Sequence, residues 1–318
     1  MKGKVLFYTL KKLGIQAFLI KMLQKILSVL HLRDSGLYRR LALKYEEILK
    51  TFLVEDVHKA IDLQHIVSGV DTGSADVPRF IWVMWWQGLE QAPDIIKLCV
   101  SQICKLNKNC DVRIIDQCNY TEYVTLPERI TEAVQAKEIS LAHLADIIRV
   151  QLLMRWGGVW VDSSLFITRP FDDAVFNSSF YSISFHEPEF IPTRGRWVVG
   201  FMVSPPNMPL FLYLNEFLRL YLKKNKYFVE YLLLDYAIAI AYESIPKIQM
   251  RIDNVPKNNV HFHALYDVLN EDAENGKACI NDKTTSIFRL SWKTDAVKSI
   301  NGKETTYGYL LRKYIKKL

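Results

Sequence analysis

Asp162 closes the run Trp156-Gly157-Gly158-Val159-Trp160-Val161-Asp162-Ser163-Ser164. An apolar segment carrying Asp146 and Arg149 runs into the Gly-Gly break, and a short apolar run then ends on the acid. A helix–turn–strand unit delivers one carboxylate to the edge of a sheet in this way, and in open α/β sheets ligands bind at the carboxyl ends of strands. A carboxylate placed there can hold Mg²⁺ or Mn²⁺ while the cation neutralises a diphosphate leaving group. Motifs of this type usually carry two acids, Asp-x-Asp. Here Ser163 is the middle residue and Ser164 takes the third position, a poorer ligand that can bind through water. The structural alternative is a capping or turn aspartate.

Asp146 and Arg149 lie three apart on roughly one face of an otherwise apolar helix. Burying either charge unpaired costs several kcal/mol, so each needs a partner. Two readings stay open: a structural ion pair, or Asp146 on a ribose or sugar hydroxyl with Arg149 on a phosphate or the sugar. His143, one turn earlier, reads as structural. Asp235 sits in the apolar run Tyr231-Leu232-Leu233-Leu234-Asp235-Tyr236-Ala237-Ile238 and either pairs with a base or faces the reaction centre. Trp82, Trp85 and Trp86 end one strand; Trp82 reads as core, and one of Trp85 and Trp86 faces the cleft as a stacking surface. The loop from His186 to Trp197 could close over a bound donor, with Arg194 and Arg196 meeting an acceptor pyrophosphate. Ser291, Trp292 and Lys293 offer a hydroxyl, an indole and a cation in a row, a combination suited to a diphosphate.

The elements that must position these residues can be read from pattern. Arg79 to Trp86 is a buried-strand pattern, Asp111 to Asp116 a second strand and Val159 to Val161 a third. Helices are expected from Pro93 to about Leu106, from Ser140 as N-cap to Trp156, from Pro209 to Lys223 and from Tyr227 to Tyr242. Strands alternating with helices indicate βαβ units and a mostly parallel sheet, an α/β class. Residues 67–77, rich in Gly, Ser and Asp, read as a linker. The resulting division is a basic amphipathic helical region over 1–75, a main domain over 76–300 and a basic tail over 301–318. Lys11, Lys12, Lys21 and Lys25 among apolar residues suit a helix lying in an anionic headgroup layer, or one packed on its own domain.

The chain has 318 residues, half of them hydrophobic (50%), enough for a full core. Its net charge of +7 favours an anionic partner. The basic residues are dispersed or amino-terminal and no recognition motif is present, so a nucleic-acid partner is not expected. None of the five cysteines forms a Cys-x-x-Cys pair, which argues against a zinc site and fits a reducing cytoplasm. No stretch of eighteen apolar residues indicates a transmembrane helix, and the lysines interrupt any signal-peptide core.

Taken together, several blocks resemble a known family. They are Ile81 to Gly88, Ala92-Pro93, Asn119 to Val124, Ala142 to Arg149, Gly157 to Ser164 and Leu290 to Lys293, in the same order over about residues 78–293. The chain resembles bacterial capsular polysaccharide synthesis proteins, within the wider group of DXD sugar transferases that includes glycosyltransferase family 32. The resemblance implies a GT-A fold, a Rossmann-like sheet for a nucleotide-diphosphate sugar, with one metal-binding motif and transfer with retention at the anomeric carbon. Asp162 corresponds to the first acid of that motif, and Asp146 and Arg149 to the acid and base of the preceding helix. Ser164 departs from a strict DXD, which bears on metal affinity and identity. On this reading Asp162 and Asp235 are the catalytic candidates. Trp85, Trp86, Asp146, Arg149, Ser163, Ser164, Ser291, Trp292 and Lys293 contact the donor, and Asp162 and Ser164 hold Mn²⁺ or Mg²⁺. The expected donor is a UDP-sugar. The expected acceptor is a glycan, carried on a lipid pyrophosphate, at the inner face of the cytoplasmic membrane. The rival expectation is a non-catalytic, membrane-associated partner of other transferases.

Overall fold

The computed structural model describes residues 2–63, with side chains from Phe7, and residues 76–185, 187, 189 and 191–315. The greater part of the expected linker, and His186, Pro188 and Phe190 of the expected loop, lie outside the described residues.

The central sheet is built from β1 (Phe80–Met84), β2 (Asp111–Ile115), β3 (Gly158–Val161), β5 (Tyr181–Ser182) and β6 (Phe201–Ser204), in the order β2-β1-β3-β6-β5. A separate pair joins β4 (Leu165–Ile167) to β7 (Ile287–Arg289). β1 runs parallel to both neighbours, with Met84 opposite Ile115 and Trp82 opposite Trp160. β1 and β3 are apolar nearly throughout because helices cover both faces of the sheet, as parallel strands require. The expected parallel trio is present. β6 and β5 extend it in the antiparallel sense, which strand–helix alternation did not foretell.

One face carries α3 (Asp94–Leu106), which buries Ile95, Cys99 and Ile103. The C-terminal helix Thr306–Tyr314 buries Tyr309, Leu310 and Leu311 in the same core and packs on α3, so the C-terminal segment is no detached tail. The other face carries α5 (Leu141–Arg155), α7 (Pro209–Lys224) and α8 (Leu233–Ser244). Between α3 and α5 lies the short helix α4 (Glu128–Gln135), and between β4 and β5 the one-turn α6 (Asp173–Phe176). The amino-terminal pair α1 (Lys2–Val29) and α2 (Gly36–Leu63) packs on α7 and α8 through α2. Its buried Leu49, Leu53 and Val57 join the same core, which makes the pair part of this layer.

α8 starts six residues later than the expected Tyr227, because side chains capture the backbone before it. The Tyr221 hydroxyl donates to the Tyr227 carbonyl at 2.9 Å and accepts from the Val229 N–H at 3.0 Å. Glu230 Oε1 accepts from the Tyr231 N–H at 3.0 Å. Such local bonds offer the chain an alternative to the helix.

Candidate active site

The Gly-Gly break has a steric cause. Gly157 and Gly158 have φ of 65° and 95°, and a Cβ on Gly158 would stand 2.6 Å from the Phe80 carbonyl oxygen. Ser140 caps α5 by accepting from the His143 N–H. α5 therefore ends one tight turn before β3, and Asp162 leaves the carboxyl end of β3 facing the helix that precedes it.

There the acid is held by two donors. Arg149 Nη2 lies 3.1 Å and the Trp160 indole nitrogen 2.8 Å from Asp162 Oδ1. Trp160 and Asp162 share a sheet face at a spacing of two, so the indole is placed for this bond. Arg149 Nη1 also donates to the Val199 carbonyl at 2.7 Å and lies 3.5 Å from Asp146 Oδ1. The ion-pair reading of Asp146 and Arg149 is thus realised, and it includes the motif acid itself. Asp162 Oδ2 takes neither bond. It faces Gly200, where an added Cβ would approach within 2.7 Å.

Asp146 and Arg149 are buried, at 8% and 4% exposure, whereas the Asp162 side chain is 38% exposed. Burial pushes the Asp146 carboxyl up to about 7; Arg149 opposes the shift, and the Asp235 and Asp162 charges add to it. Burial also raises Asp235, to about 6, against the hydrogen bond from the Trp197 indole at 3.0 Å and the charges of Arg149 and Arg289. Asp235 is thus held by the Trp197 indole. Near neutral pH this cluster holds exchangeable protons as well as charge.

The 291–293 segment reaches the same place from far along the chain. The Leu290 N–H donates to the Ser164 carbonyl at 3.0 Å, setting Ser291, Trp292 and Lys293 beside Ser163 and Ser164. Exposed Trp292 meets the Trp85 ring edge-on at 6.0 Å, Lys293 Nζ lies 5.1 Å from the Trp292 ring, and Ser291 Oγ accepts from the Lys293 N–H. Trp82 is core, fully buried, with its indole on the Gly157 carbonyl. Trp86 turns away from Trp85 and packs on Tyr120 at 5.2 Å. Of the two tryptophans, Trp85 is the one in contact with the 291–293 segment.

Arg194 and Arg196 are not free for an acceptor. Arg194 pairs with Glu46 of α2 at 2.6 Å, and Arg196 stacks on Tyr242 with its guanidinium 4.4 Å from the ring centre. His143 is structural, stacked on Phe228 at 4.0 Å, and burial lowers its pKa to about 4. Sequence reasoning missed Trp160, Trp197, Gly200 and Arg289. The i, i+2 spacing of Trp160 and Asp162 was the one signal available.

Among the described residues no group of three or more His, Cys, Asp or Glu could hold a metal. The donor set still fits one class of ion. Hard divalent cations bind through one or two carboxylates together with substrate phosphates and water. Asp162 has one oxygen pinned by Arg149 and Trp160 and the other unengaged by them, with the half-buried Ser164 beside it. Two grooves, of 710 and 970 Å³, lie elsewhere, the first between α4, α5 and α7 and the second beside β5, β6 and β7. All five cysteines are free.

Comparison with known proteins covers most of the chain. A stretch of 107 residues is 28% identical to an "O-glycosyltransferase PaGT" of Phomopsis amygdali, covering 31% of this chain and 26% of that protein. Among solved structures, the "PaToxG Glycosyltransferase" superposes with a TM-score of 0.40 at 14% identity, over 66% of this chain and 83% of that one. The capsular polysaccharide synthesis protein family matches residues 23–310, a span that runs from α1 to the C-terminal helix and takes in every site residue described above. The chain belongs to the capsular polysaccharide synthesis protein family.

Proposed function

We propose that the protein is a glycosyltransferase of surface polysaccharide assembly, moving a sugar with retention from a nucleotide-diphosphate donor, a UDP-sugar, to a glycan hydroxyl. The observation that carries this reading is Asp162, oriented at the end of β3 by Arg149 and Trp160 with one oxygen left over, in a chain of the capsular family. Asp162 and Ser164 would hold Mn²⁺ or Mg²⁺, which supplies positive charge against the departing diphosphate. The chain's own residues do the rest. Arg149 and Trp160 fix the carboxylate in advance, so no reorganisation is needed when the donor arrives. Trp85 and Trp292 provide aromatic surface for the donor, and Lys293 and Arg289 supply cations beside it. Burial favours the protonated form of Asp146, whose carboxyl is pushed up to about 7, and this limits the negative charge facing the phosphates.

For the displacement itself, the acceptor oxygen bonds to the anomeric carbon as the carbon–phosphate oxygen bond breaks, on the same face. The acceptor proton passes to the leaving phosphate oxygen, so no enzyme nucleophile is required. A glycosyl-enzyme trapped at Asp235, Glu187 or Glu189 and seen by mass spectrometry would contradict this route. The acceptor in this reading is a growing glycan on a lipid pyrophosphate at the inner face of the cytoplasmic membrane.

The test is UDP release from a panel of UDP-sugars with Mn²⁺, Mg²⁺ or EDTA, comparing wild type with Asp162→Ala. Metal-dependent release that the substitution abolishes supports the reading. Absence of both release and nucleotide-sugar binding points instead to a non-catalytic partner of other transferases.

A further inference from the structure

α1 is broken at Gly14, where φ is 81° and ψ 173°, and the helix from Ile15 onward is apolar on two opposite sides. Ala17 and Ile20, with Leu13 just before the break, are buried in the core shared with α2. On the far side Ile15, Leu19, Met22, Leu23, Ile26 and Leu30 are 40–61% exposed. Their spacing of four, three, one and three residues puts the first five on one helical face, and Leu30 follows just past the helix end. A contiguous apolar strip of this kind on a protein surface marks an interaction site.

The surrounding charge identifies the occupant. Between Phe7 and Leu43 the chain carries Lys11, Lys12, Lys21, Lys25, Arg33, Arg39 and Arg40 against a single acid, Asp34. Lys21 turns inward to Glu230 at 2.7 Å, and the other six are exposed. A symmetric contact between two copies would bring these cations together. An anionic lipid surface accepts both the apolar strip and the basic surround. α1 is not long and apolar enough to cross a membrane.

We propose that the outward face of α1 lies in the headgroup layer of an anionic bilayer, with the helix axis in the membrane plane. The contact is tied to the site through the fold. Lys21 binds Glu230, whose other carboxylate oxygen accepts from the Tyr231 N–H just before α8 begins, and α8 carries Asp235.

The test is co-sedimentation of the full chain with vesicles of phosphatidylcholine alone and with about one-third phosphatidylglycerol. Binding only to the anionic vesicles, weakened by added salt, is the expected result. The double substitution Leu19→Glu/Ile26→Glu should reduce it about tenfold or more with an unchanged circular dichroism spectrum, since both side chains are exposed. Lys11→Gln/Lys25→Gln should reduce it a few-fold. Equal binding to neutral vesicles, no binding by wild type, or full binding by the Leu19/Ile26 variant overturns the proposal. So does a dimer, seen by ultracentrifugation, that the same variant dissolves without any vesicle binding. UDP release in solution reads the cleft separately, so either result here leaves the transferase reading to its own test.

Discussion

Around Asp162 the chain buries charge, and along α1 it exposes apolar surface. Asp146, Arg149 and Asp235 are each less than a tenth exposed, whereas Ile15 and Leu30 are more than half exposed. Each arrangement is unfavourable alone. Charges taken from water are stable only when paired and hydrogen-bonded, and a bare apolar strip stays in water only until something covers it. The remedies differ in kind. The acids are compensated within the fold, by arginines 149 and 289 and the indoles of Trp160 and Trp197. The strip has no compensation within the described residues. The contrast teaches that the side chains around Asp162 are oriented from within the fold, while the amino-terminal face leaves apolar surface bare among the described residues.

The comparison is tested most severely at Asp162. Asp162→Ala should lower donor turnover by at least about 10²–10³-fold, with a stability loss of about 1–3 kcal/mol because the buried Arg149 and Trp160 lose their shared acceptor. Arg149→Met, by contrast, strips a buried cation from three acids. Denaturant unfolding near pH 8 should show a loss of roughly 3–5 kcal/mol. The loss should shrink near pH 5, where Asp146 and Asp235 take up protons. Asp146→Asn should act in the opposite direction. The folded-state pKa of Asp146 lies above its unfolded value, so its contribution to stability is full below about pH 4 and is lost as pH rises through about 7. Wild type should therefore lose roughly 2–4 kcal/mol across that window relative to the Asn variant, read from paired urea melts. The smallest stability effect belongs to the other region. Leu19→Glu, on the exposed strip, should change unfolding free energy by no more than about 0.5 kcal/mol. A large loss there would mean that the strip packs against the fold after all.

The parts of this account that the sequence made legible are local. Continuous apolar runs identify β1 and β3, the Gly-Gly break and Ser140 bound α5, and Asp162 is visible as the acid that ends a strand. The unreadable parts depend on distant segments meeting. No local pattern signals that Leu290 bonds to Ser164, or that β6 returns antiparallel to β3. Arg194 looked free in a polar loop, yet it is engaged by Glu46, 148 positions away. Trp160 and Trp197 carry no separate signal in the sequence, because burial is the ordinary fate of tryptophan; their indole N–H groups, aimed at Asp162 and Asp235, become visible only with the fold. Asp235 was conspicuous as an acid in an apolar helix, and its partner, the Trp197 indole, comes from 38 positions away. The amino-terminal helices were expected from periodicity, but the division of α1 into a packed face and a bare one needed the structure.

The measurement that bears most directly on the central claim is calorimetric titration of UDP into wild type and Asp162→Ala, each with and without Mn²⁺. If Asp162 is the residue through which a cation and a nucleotide diphosphate are held, wild type binds UDP far more tightly with the ion, and the variant loses that dependence. Equal, ion-independent binding in both proteins would contradict the claim and move the donor site away from the end of β3.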